Sequence, residues 1–260
     1  MLRTLLSILG IYKVYEWWLW KQIEHGGMPE HIGIILDGNR RWAGLRSLNP
    51  SIGHHYGAEK IEELLDWCLD LKIRTLTLYV FSTENFQRPL DEVEEIMKLA
   101  VSNLRKALAD KRIHKNKVRV KAIGQTYRLP QDVRELIGEV EEATKDYDEF
   151  YLNIAIAYGG RAEIVDAAKQ IALQVKNGFL DPQHVNENVF EKYLYTSYLP
   201  KSDPDLVIRS SGEERLSGFL LWQSAYSELC FTDVFWPEFR KIDLWRAIRI
   251  FQKRERRFGK

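Results

Sequence analysis

The sequence has few cysteines and no excess of basic over acidic residues, and each of these shortages argues against a class of protein. The two cysteines, Cys68 and Cys230, have no CxxC partner and no histidine at metal-ligand spacing. This pattern argues against a disulfide scaffold or a zinc site and is typical of reduced thiols in the cytoplasm. The 38 basic residues are balanced by 37 acidic ones, for a formal charge of +1. Nothing in this balance favours binding to nucleic acid, so any cationic site must be local.

Motifs for nucleotide binding are missing as well. The chain has no GxxxxGK[ST] loop and no GxGxxG that opens a helix, so neither the P-loop nor the dinucleotide-binding turn is present. A nucleotide-dependent ligase is therefore disfavoured, and so is a doubly wound phosphatase, because no nucleophile motif accompanies the alternating pattern described below.

A long uninterrupted apolar run is also absent, although the N-terminus comes closest. An apolar and aromatic stripe with the spacing of one helix face is formed there by Ile8, Ile11, Tyr12, Tyr15, Trp18, Leu19 and Ile23. Lys13, Glu16 and Lys21 interrupt the run, which falls far below the ~20 residues that span a bilayer, and no signal-peptide cleavage site follows. The stripe predicts a helix within residues 1–27. This helix either packs on the rest of the protein or lies peripherally on a membrane surface, with its tryptophans at headgroup depth.

The sequence does contain a regular alternation of short β-rich runs with segments of helical period. Five runs predict strands: HIGIIL, TLTLYVF, KVRVKAIG, YLNIAIAY and DLVIRS. In the first helical segment, Ile61, Leu64, Leu65 and Cys68 fall on one face. The alternation predicts an α/β fold with a mostly parallel central sheet that helices flank on both faces. With 45% hydrophobic residues and no linker or repeat, residues 28–260 are expected to form a single domain.

Polar residues follow four of the predicted strands at the point where each strand ends. The first strand is followed by Asp-Gly-Asn-Arg-Arg at 37–41 and a loop that contains Asn49 and Pro50; the others are followed by residues 82–85, 159–161 and 209–213. Each of them alone is explained by a surface turn. In open α/β sheets, however, ligands bind beyond the carboxyl ends of the strands. Arginines and glycine-exposed N–H groups suit phosphate, so the four ends together predict a site for a phosphate compound.

Two carboxylates are candidates to hold a hard cation beside such phosphate groups. Mg²⁺ typically takes one or two carboxylates together with substrate phosphates. Asp37 stands at the first strand end, and Glu228 stands in the stretch SAYSELCFTDVFWP. Their separation along the chain does not show that they meet, and Glu228 is also explained as an acid on a helix surface.

Several long blocks of the sequence resemble the cis-prenyltransferases, the Z-type polyprenyl diphosphate synthases. The blocks are HIGIILDGNRRWA, GHHYGAEK, LTLYVFSTENFQRP, LNIAIAYGGRAEIV, DLVIRSSGEERLSGFLLWQSAYSELCFTDVFWPEF and ERRFG. The resemblance implies a Mg²⁺-dependent enzyme that condenses isopentenyl diphosphate repeatedly onto farnesyl or geranylgeranyl diphosphate. The product would be a long polyprenyl diphosphate for lipid glycan carriers, built in an apolar tunnel. A cytoplasmic homodimer is implied, or a heterodimer with a non-catalytic subunit.

The resemblance also assigns roles to residues of this chain. Asp37 would be the essential acid that engages Mg²⁺ and the allylic diphosphate, Glu228 the second metal ligand, and Asn85 the proton acceptor or relay. The other matched positions would bind the substrates: Gly38, Asn39, Arg40, Arg41, Trp42, His54, Ser82, Thr83, Glu84, Phe86, Arg88, Arg209, Arg215, Leu216, Ser217, Arg257 and Gly259. The last two match an Arg-x-Gly tail that reaches across the dimer to the partner's site in related proteins.

The sequence departs from the family pattern in places, and alternative roles stay open for some residues. Arg40 replaces a glycine of many bacterial members, and Pro50 replaces a diphosphate-binding arginine, so Arg40 is a candidate to supply the missing contact. His54 is also explained as a packed, neutral histidine. A non-catalytic subunit with the same fold should lack the strand-end acid and its cations, whereas Asp37 and Arg209 are both present. A trans-prenyl synthase would carry DDxxD clusters, which this chain lacks.

Overall fold

The computed structural model describes residues 11–254 of the chain. Six strands form one sheet in the order β3-β4-β2-β1-β5-β6, and every neighbouring pair is parallel. The strands are β1 (His31–Ile35), β2 (Thr75–Ser82), β3 (Val118–Ile123), β4 (Phe150–Tyr158), β5 (Leu206–Arg209) and β6 (Glu228–Phe231). The predicted α/β fold with a parallel sheet is confirmed. Ile8, Arg257 and Gly259, which the sequence singled out, lie outside the described residues.

The described range contains nine α-helices. They are α1 (Ile11–Ile23), α2 (Asn39–Gly44), α3 (Pro50–Asp70), α4 (Leu90–Ala109), α5 (Lys111–Lys115), α6 (Gln131–Thr144), α7 (Gly160–Lys176), α8 (Glu187–Glu191) and α9 (Lys241–Lys253). A short 3-10 helix, Thr83–Gln87, follows β2, and another, Trp236–Glu238, precedes α9.

The side chains of the strands divide into two cores, one on each face of the sheet. Successive residues of a strand point to opposite faces, so Ile34 enters one core and Ile35 enters the other. The larger core is closed by residues of α1, α3, α4, α6 and α9. The smaller core contains Phe219 and Leu220, from the segment between β5 and β6. On that face Glu163 of α7 accepts a hydrogen bond from a buried tyrosine of β4, so elements cover both sides of the sheet.

Helix α3 begins earlier than the sequence pattern indicates. The sequence suggests a loop before residue 58, but Asn49 caps the helix by accepting a hydrogen bond from the Ser51 N–H (3.0 Å), and Pro50 occupies the first turn. Both features are favourable helix starts. Gly53 and Gly57 lie inside the helix and permit close packing, because a Cβ on Gly53 would lie 2.2 Å from the Asn39 carbonyl oxygen.

Helix α1 packs against α9 and leaves part of its surface exposed. Leu19 and Ile23 are fully buried, and Trp20 packs against Trp245 with 5.3 Å between ring centroids. The predicted packing face is thus present, although Trp18, which the stripe assigned to that face, is 46% exposed. Within residues 11–254, none of the helices combines the length and the apolar character needed to cross a membrane.

Candidate active site

The ends of two adjacent strands bring an acid and an arginine together. Asp37 follows β1, and Arg209 ends β5, which pairs with β1. Arg209 Nη2 donates to Asp37 Oδ2 at 2.7 Å, and Nε donates to the same oxygen at 3.2 Å. The Arg209 side chain is 6% exposed, whereas Asp37 is 27% exposed. A buried arginine therefore fixes one carboxylate oxygen and leaves the other facing an open crevice.

Arg41 approaches the same carboxylate from the solvent side. Its Nη2 lies 3.4 Å from Asp37 Oδ1 and donates to Ser211 Oγ at 2.6 Å. Its Nη1 donates to Glu213 Oε1 at 3.0 Å. This arginine is 44% exposed, so solvent reaches its guanidinium group.

The charge state of Asp37 follows from these neighbours. Burial by itself raises the pKa of a carboxyl, but the hydrogen bond and positive charge of Arg209, together with the charge of Arg41, hold the pKa of Asp37 below its ordinary value. Asp37 is therefore ionised at neutral pH, as a ligand of a hard cation must be.

The loop that follows β5 contacts Arg209 on the side opposite Asp37. Arg209 Nη1 donates to Ser217 Oγ at 2.8 Å and to the Arg215 carbonyl. Tyr79, which stacks on Phe219 (4.9 Å between centroids), donates to the Ser217 carbonyl at 3.2 Å. Ser217 has a φ of 48°, a left-handed conformation that is unfavourable for serine. These hydrogen bonds hold the loop, and with it Leu216 and the exposed Arg215, at the crevice.

Gly38 turns the chain from β1 into α2. Its φ of 99° is a conformation that side chains rarely adopt, and a Cβ would lie 2.6 Å from the Phe235 ring. The turn places Asn39 at the start of α2, where it lines an internal cavity. The Asn39 Oδ1 atom is buried and has no hydrogen-bond partner, so it is a polar atom available to a ligand.

A second charged cluster borders the crevice at the start of α4. Glu92 accepts hydrogen bonds from His54 Nε2 (3.2 Å) and Arg88 Nη1 (2.9 Å), and Arg40 Nη1 lies 3.5 Å from it. Burial lowers the pKa of His54 below its ordinary value, assisted by the charges of Arg88 and Arg40, although Glu92 acts in the opposite direction. The explanation of His54 as a packed, neutral histidine is thus compatible with its lying in the site.

The turn after β2 contains the predicted proton relay. Asn85 Oδ1 accepts a hydrogen bond from the Ser82 N–H at 2.9 Å. This hydrogen bond caps the 3-10 helix, whose first two residues are Thr83 and Glu84. Phe86 packs edge-on against Phe81 with 4.9 Å between centroids. In this state Asn85 has a structural role, and its amide nitrogen and the second lone pair of Oδ1 remain for a substrate.

A cavity of about 630 Å³ leads away from this cluster into the larger core. Its near end is lined by Leu36, Asn39 and His54. Further along, aliphatic side chains of α3, α4, α6 and the sheet form its wall, among them Leu65, Leu78, Ile96, Leu104 and Ile154. This is the shape and lining expected of the predicted apolar tunnel.

The structure does not bring every predicted residue into the crevice. Trp42 is buried beside it, donates from Nε1 to Glu238 at 3.3 Å, and does not line the cavity. Glu228 lies at the amino end of β6, opposite Leu206, whereas Asp37 lies beyond the carboxyl end of β1. The offset is about 16 Å along the strands, at ~3.3 Å per residue. Within one chain the two carboxylates therefore do not meet, and Glu228 binds Arg254 Nη1 at 2.6 Å.

Two contributors were missing from the sequence prediction: Glu92, which collects the cations near His54, and Tyr79, which supports the loop below Arg209. Ser211 lies within the predicted strand-end stretch 209–213 but was given no role of its own, and the structure shows that it positions Arg41. The spacing of Arg88 and Glu92, four residues apart at the start of a helical segment, is the one available signal. The roles of Ser211 and Tyr79 depend on strand order, which spacing along the chain does not provide.

Comparisons with known proteins decide the family. The family described as "Putative undecaprenyl diphosphate synthase" matches residues 35–259. A Tritrans,polycis-undecaprenyl-diphosphate synthase (geranylgeranyl-diphosphate specific) of Methanopyrus kandleri is 54% identical over 98% of this chain and 93% of its own length. The isoprenyl transferase of Thermus thermophilus is 48% identical over the full length of both chains. The chain belongs to the cis-prenyltransferase family.

A solved structure supports the same assignment. The lavandulyl diphosphate synthase of Lavandula x intermedia, crystallised with dimethylallyl diphosphate, superposes with a TM-score of 0.87 and 35% identity. The match covers 90% of this chain and 99% of the other. The protein is an enzyme of this class, which condenses isopentenyl diphosphate with an allylic diphosphate, and the strand-end crevice with its adjoining cavity is its candidate active site.

Proposed function

We propose that this cis-prenyltransferase extends geranylgeranyl diphosphate with isopentenyl diphosphate to a long polyprenyl diphosphate of undecaprenyl class. The support for the primer and product comes from relatives that carry these names at about half identity over nearly the whole chain. The observation that carries the proposal is the junction of the Asp37–Arg209 pair with an apolar cavity. The diphosphate of a prenyl diphosphate would lie at the charged strand ends, and its hydrocarbon chain would lie in the apolar cavity.

The reaction needs a site that stabilises a departing diphosphate. The C–O bond of the allylic diphosphate breaks, the double-bond electrons of isopentenyl diphosphate form the new C–C bond, and one proton leaves. Arg41 and the N–H groups that follow Gly38 are the donors that we assign to the departing diphosphate, because preorganised donors accelerate a reaction when they are aimed at developing negative charge. Arg215 is 63% exposed and is available to the diphosphate of isopentenyl diphosphate. Asn85 offers its amide group for the proton step.

Magnesium fits the donor set around Asp37. One carboxylate oxygen is fixed by Arg209, and the exposed Arg41 lies 3.4 Å from the other, Oδ1. Among residues 11–254, no group of three or more histidine, cysteine or acidic side chains is arranged to hold a metal, and Mg²⁺ needs no such cage when substrate phosphates complete its shell. When bound by Asp37 and the diphosphate, Mg²⁺ would supply charge neutralisation to the leaving group. Glu228 is retained only as a ligand that one chain offers to a second copy.

We further propose a homodimer in which the C-terminal tail completes the partner's site. Arg257 would orient the tail, and Gly259 would offer a backbone N–H to a phosphate. A mixed dimer of an Asp37→Ala chain and a chain truncated after Arg256 tests this arrangement. Sharing in trans predicts one intact site per mixed dimer, whereas activity no higher than that of the two inactive homodimers contradicts it.

The primer assignment is tested by incubating the purified protein with labelled isopentenyl diphosphate, Mg²⁺ and each allylic primer in turn, and sizing the products. Geranylgeranyl diphosphate is expected to be used with the highest kcat/KM and to yield a long-chain product. Equal or better use of farnesyl diphosphate would contradict the primer assignment, and inert, folded protein with every primer would contradict the activity.

A further inference from the structure

Tyr79 carries a buried hydroxyl group that the packing of its ring does not explain. The ring belongs to the smaller core, where it stacks on Phe219 and meets Tyr158 edge-on with 5.8 Å between centroids. A phenylalanine would fill the same space and make the same ring contacts. Burial of a hydroxyl group is unfavourable unless the group is hydrogen-bonded, so the partners of this hydroxyl group indicate its role.

The Tyr79 hydroxyl group joins three strand ends. It donates to the Ser217 carbonyl at 3.2 Å, in the loop after β5, and to the Tyr158 carbonyl at 3.4 Å, at the end of β4. The Ser82 side chain, at the end of β2, hydrogen-bonds to the same group. Burial raises the pKa of Tyr79 well above its ordinary value, and the negative charge of Glu84 adds to the shift. The hydroxyl group therefore stays protonated at neutral pH.

A β-bulge turns Ser82 towards Tyr79. The pairing of β2 with β4 shifts register between Tyr79 and Phe81, and again between Phe81 and Ser82. Val80 and Phe81 both pack in the larger core, although successive side chains of a regular strand alternate between the two faces. Ser82 consequently lies on the same face as Tyr79, where regular alternation would not place it. Bulges beside functional sites commonly re-aim a side chain in this way.

The loop after β5 has a backbone that needs external support. Ser217 and Gly218 are consecutive left-handed residues, with φ of 48° and 82°, and this conformation is unfavourable for serine. Hydrogen bonds to both carbonyls fix it, because Tyr79 donates to that of Ser217 and the Gly160 N–H donates to that of Gly218 at 2.7 Å. Ser217 Oγ then accepts from Arg209 Nη1 at 2.8 Å. Tyr79 thus helps to set the position of Ser217 beside Arg209.

The turn after β2 is the second structure that the hydroxyl group holds. The Ser82 N–H donates to Asn85 Oδ1 at 2.9 Å, while the Ser82 side chain hydrogen-bonds to Tyr79. A continuous path of hydrogen bonds therefore runs from Asn85 through Ser82 and Tyr79 to Ser217. It links the turn that contains the predicted proton relay to the loop that contains the predicted isopentenyl diphosphate ligands.

We propose that the Tyr79 hydroxyl group is a positioning group that holds the Ser217 loop in register with the Ser82–Asn85 turn, so that isopentenyl diphosphate bound at the loop presents its departing proton to Asn85. The proposal rests on the proposed function, because it needs isopentenyl diphosphate at the loop and the proton step at the turn. The hydroxyl group itself transfers no proton. Its removal keeps the ring contacts but lets the loop and the turn move independently.

Steady-state kinetics of Tyr79→Phe, with each substrate varied in turn, test the proposal. Tyr198→Phe is the matched control, because it also removes a tyrosine hydroxyl group beside the smaller core, from a side chain that donates to Asn153 in the middle of β4. Ser82→Ala and the double variant Tyr79→Phe/Ser82→Ala complete a double-mutant cycle. Thermal midpoints are measured for every protein.

Tyr79→Phe is expected to lower kcat/KM for isopentenyl diphosphate by about three- to tenfold, the factor that corresponds to one neutral hydrogen bond. The KM for the primer should be unchanged, and Tyr198→Phe should keep wild-type kinetics. Ser82→Ala should also lower kcat/KM for isopentenyl diphosphate. The double variant should lose less than the product of the two single losses, because both changes break the same link.

Wild-type kinetics in folded Tyr79→Phe would overturn the proposal. Equal losses for both substrates, or losses that simply multiply in the double variant, would overturn it as well, since a general loss of packing predicts those results. If Tyr79→Phe fails to fold, an unchanged kcat/KM for isopentenyl diphosphate in Ser82→Ala overturns it. Wild-type protein that makes no prenyl product would instead contradict the proposed function.

Discussion

Arg209 is the most constrained residue of the site. Four of its five N–H groups are already used, by Asp37 on one side and by Ser217 and the Arg215 carbonyl on the other. A guanidinium so committed has little capacity for a substrate phosphate. Its first task is to hold Asp37 ionised and oriented, whereas the more exposed Arg41 and Arg215 are the proposed ligands of diphosphate.

Replacing Arg209 and Arg215 separately should distinguish these tasks. Arg215→Ala is expected to raise the KM for isopentenyl diphosphate by about 10- to 150-fold, the equivalent of one charge-assisted hydrogen bond, with a smaller effect on kcat. Arg209→Ala should lower kcat as well, because Asp37 loses its partner. Steady-state kinetics with each substrate varied will measure both effects. A pure KM effect from Arg209→Ala would show that it serves only as a phosphate ligand.

His31 gives the protein a predictable weakness in acid. Its side chain is fully buried, and Nε2 pairs with Thr77 Oγ1 at 2.8 Å. Burial lowers the pKa of His31 from 6.5 to about 4, although Asp205 opposes the shift. Between those two pH values the unfolded chain binds a proton that the folded chain excludes, so stability falls as the pH falls from 6.5 to 4.

The free energy of unfolding should therefore decrease over this interval by up to about 3 kcal/mol through His31. The measurement is denaturant unfolding at pH 7 and pH 4.5 for wild type and His31→Gln, which cannot titrate. The variant should show the smaller loss. An equal loss in both proteins would mean that other groups account for the acid sensitivity.

At the level of residues, the position of the first polar strand end was predictable from the sequence, whereas the substrate and metal roles of its residues stay predictions. Asp37, Gly38 and Asn39 follow a strand whose end is visible in the sequence. The structure pairs Asp37 with Arg209 and turns the chain at Gly38, so that Asn39 lines the cavity. Glu228 was expected near Asp37, but it lies at the opposite end of the sheet in its own chain. Neither the strand that contains Glu228 nor its direction can be predicted from an isolated four-residue apolar segment.

At the scale of elements, the contact between α2 and α3 sets the entrance to the cavity. Gly53 and Gly57 bring α3 against Asn39, and Trp236 Nε1 donates to the Gly57 carbonyl at 2.7 Å. Glycine is unfavourable inside a helix by roughly 0.5–1 kcal/mol relative to alanine. The two positions accept this cost because a side chain would displace Asn39, which starts α2 and lines the cavity.

Gly53→Ala and Gly138→Ala form a matched pair that tests this packing. A Cβ on Gly53 would lie 2.2 Å from the Asn39 carbonyl oxygen, whereas nothing lies within 4 Å of a Cβ on Gly138 in α6. Gly53→Ala is expected to destabilise by about 1–3 kcal/mol through overpacking and to reduce activity. Gly138→Ala should stabilise by about 0.5–1 kcal/mol. Thermal melts check both, and stabilisation by Gly53→Ala would contradict the close contact.

Element prediction succeeded for the strongly patterned segments and failed for short or glycine-containing ones. The five long apolar runs are strands, because alternation with helices leaves few other folds. The start of α3 has the composition of a loop because Gly53, Asn49 and Pro50 are common in turns, although the last two are also favourable helix starts. The edge strand β6 has four residues and lacks a helix before it, so periodicity could not identify it.

At the scale of the whole molecule, the cavity links two ends with different chemistry. Its near end, at Asn39 and His54, lies at the carboxyl edge of the sheet, and its far end, where Glu62 and Arg112 border it, lies toward the amino edge. Lys241 Nζ lies 3.9 Å from Glu16 of α1 and 4.0 Å from Asp70, one turn beyond Asp66 on α3. The far end of the cavity and α1 therefore lie on the same side of the protein. The sequence predicted an apolar tunnel by resemblance, but its walls and far end depend on packing between distant segments.

The exposed aromatics of α1 make a membrane contact testable. Val14, Trp17 and Trp18 are 66%, 61% and 46% exposed, and such a surface suits the interface of a bilayer. The double variant Trp17→Ala/Trp18→Ala is expected to bind phosphatidylcholine–phosphatidylglycerol vesicles at least about tenfold more weakly than wild type. Phe179→Ala, at a residue 79% exposed elsewhere, should bind as wild type. Equal vesicle binding by all three proteins in a flotation assay would leave α1 as a packing element only.

The central claim is that Asp37, held by Arg209 at the entrance of the apolar cavity, is where the primer loses its diphosphate. Single-turnover condensation of geranylgeranyl diphosphate with labelled isopentenyl diphosphate, measured alongside primer binding, tests it most directly. Asp37→Ala is expected to remain folded and to lose at least ~10² in rate with Mg²⁺ present, because its contact matters most as the leaving group departs. A folded Asp37→Ala protein that condenses the two substrates at a near-normal rate would contradict the account.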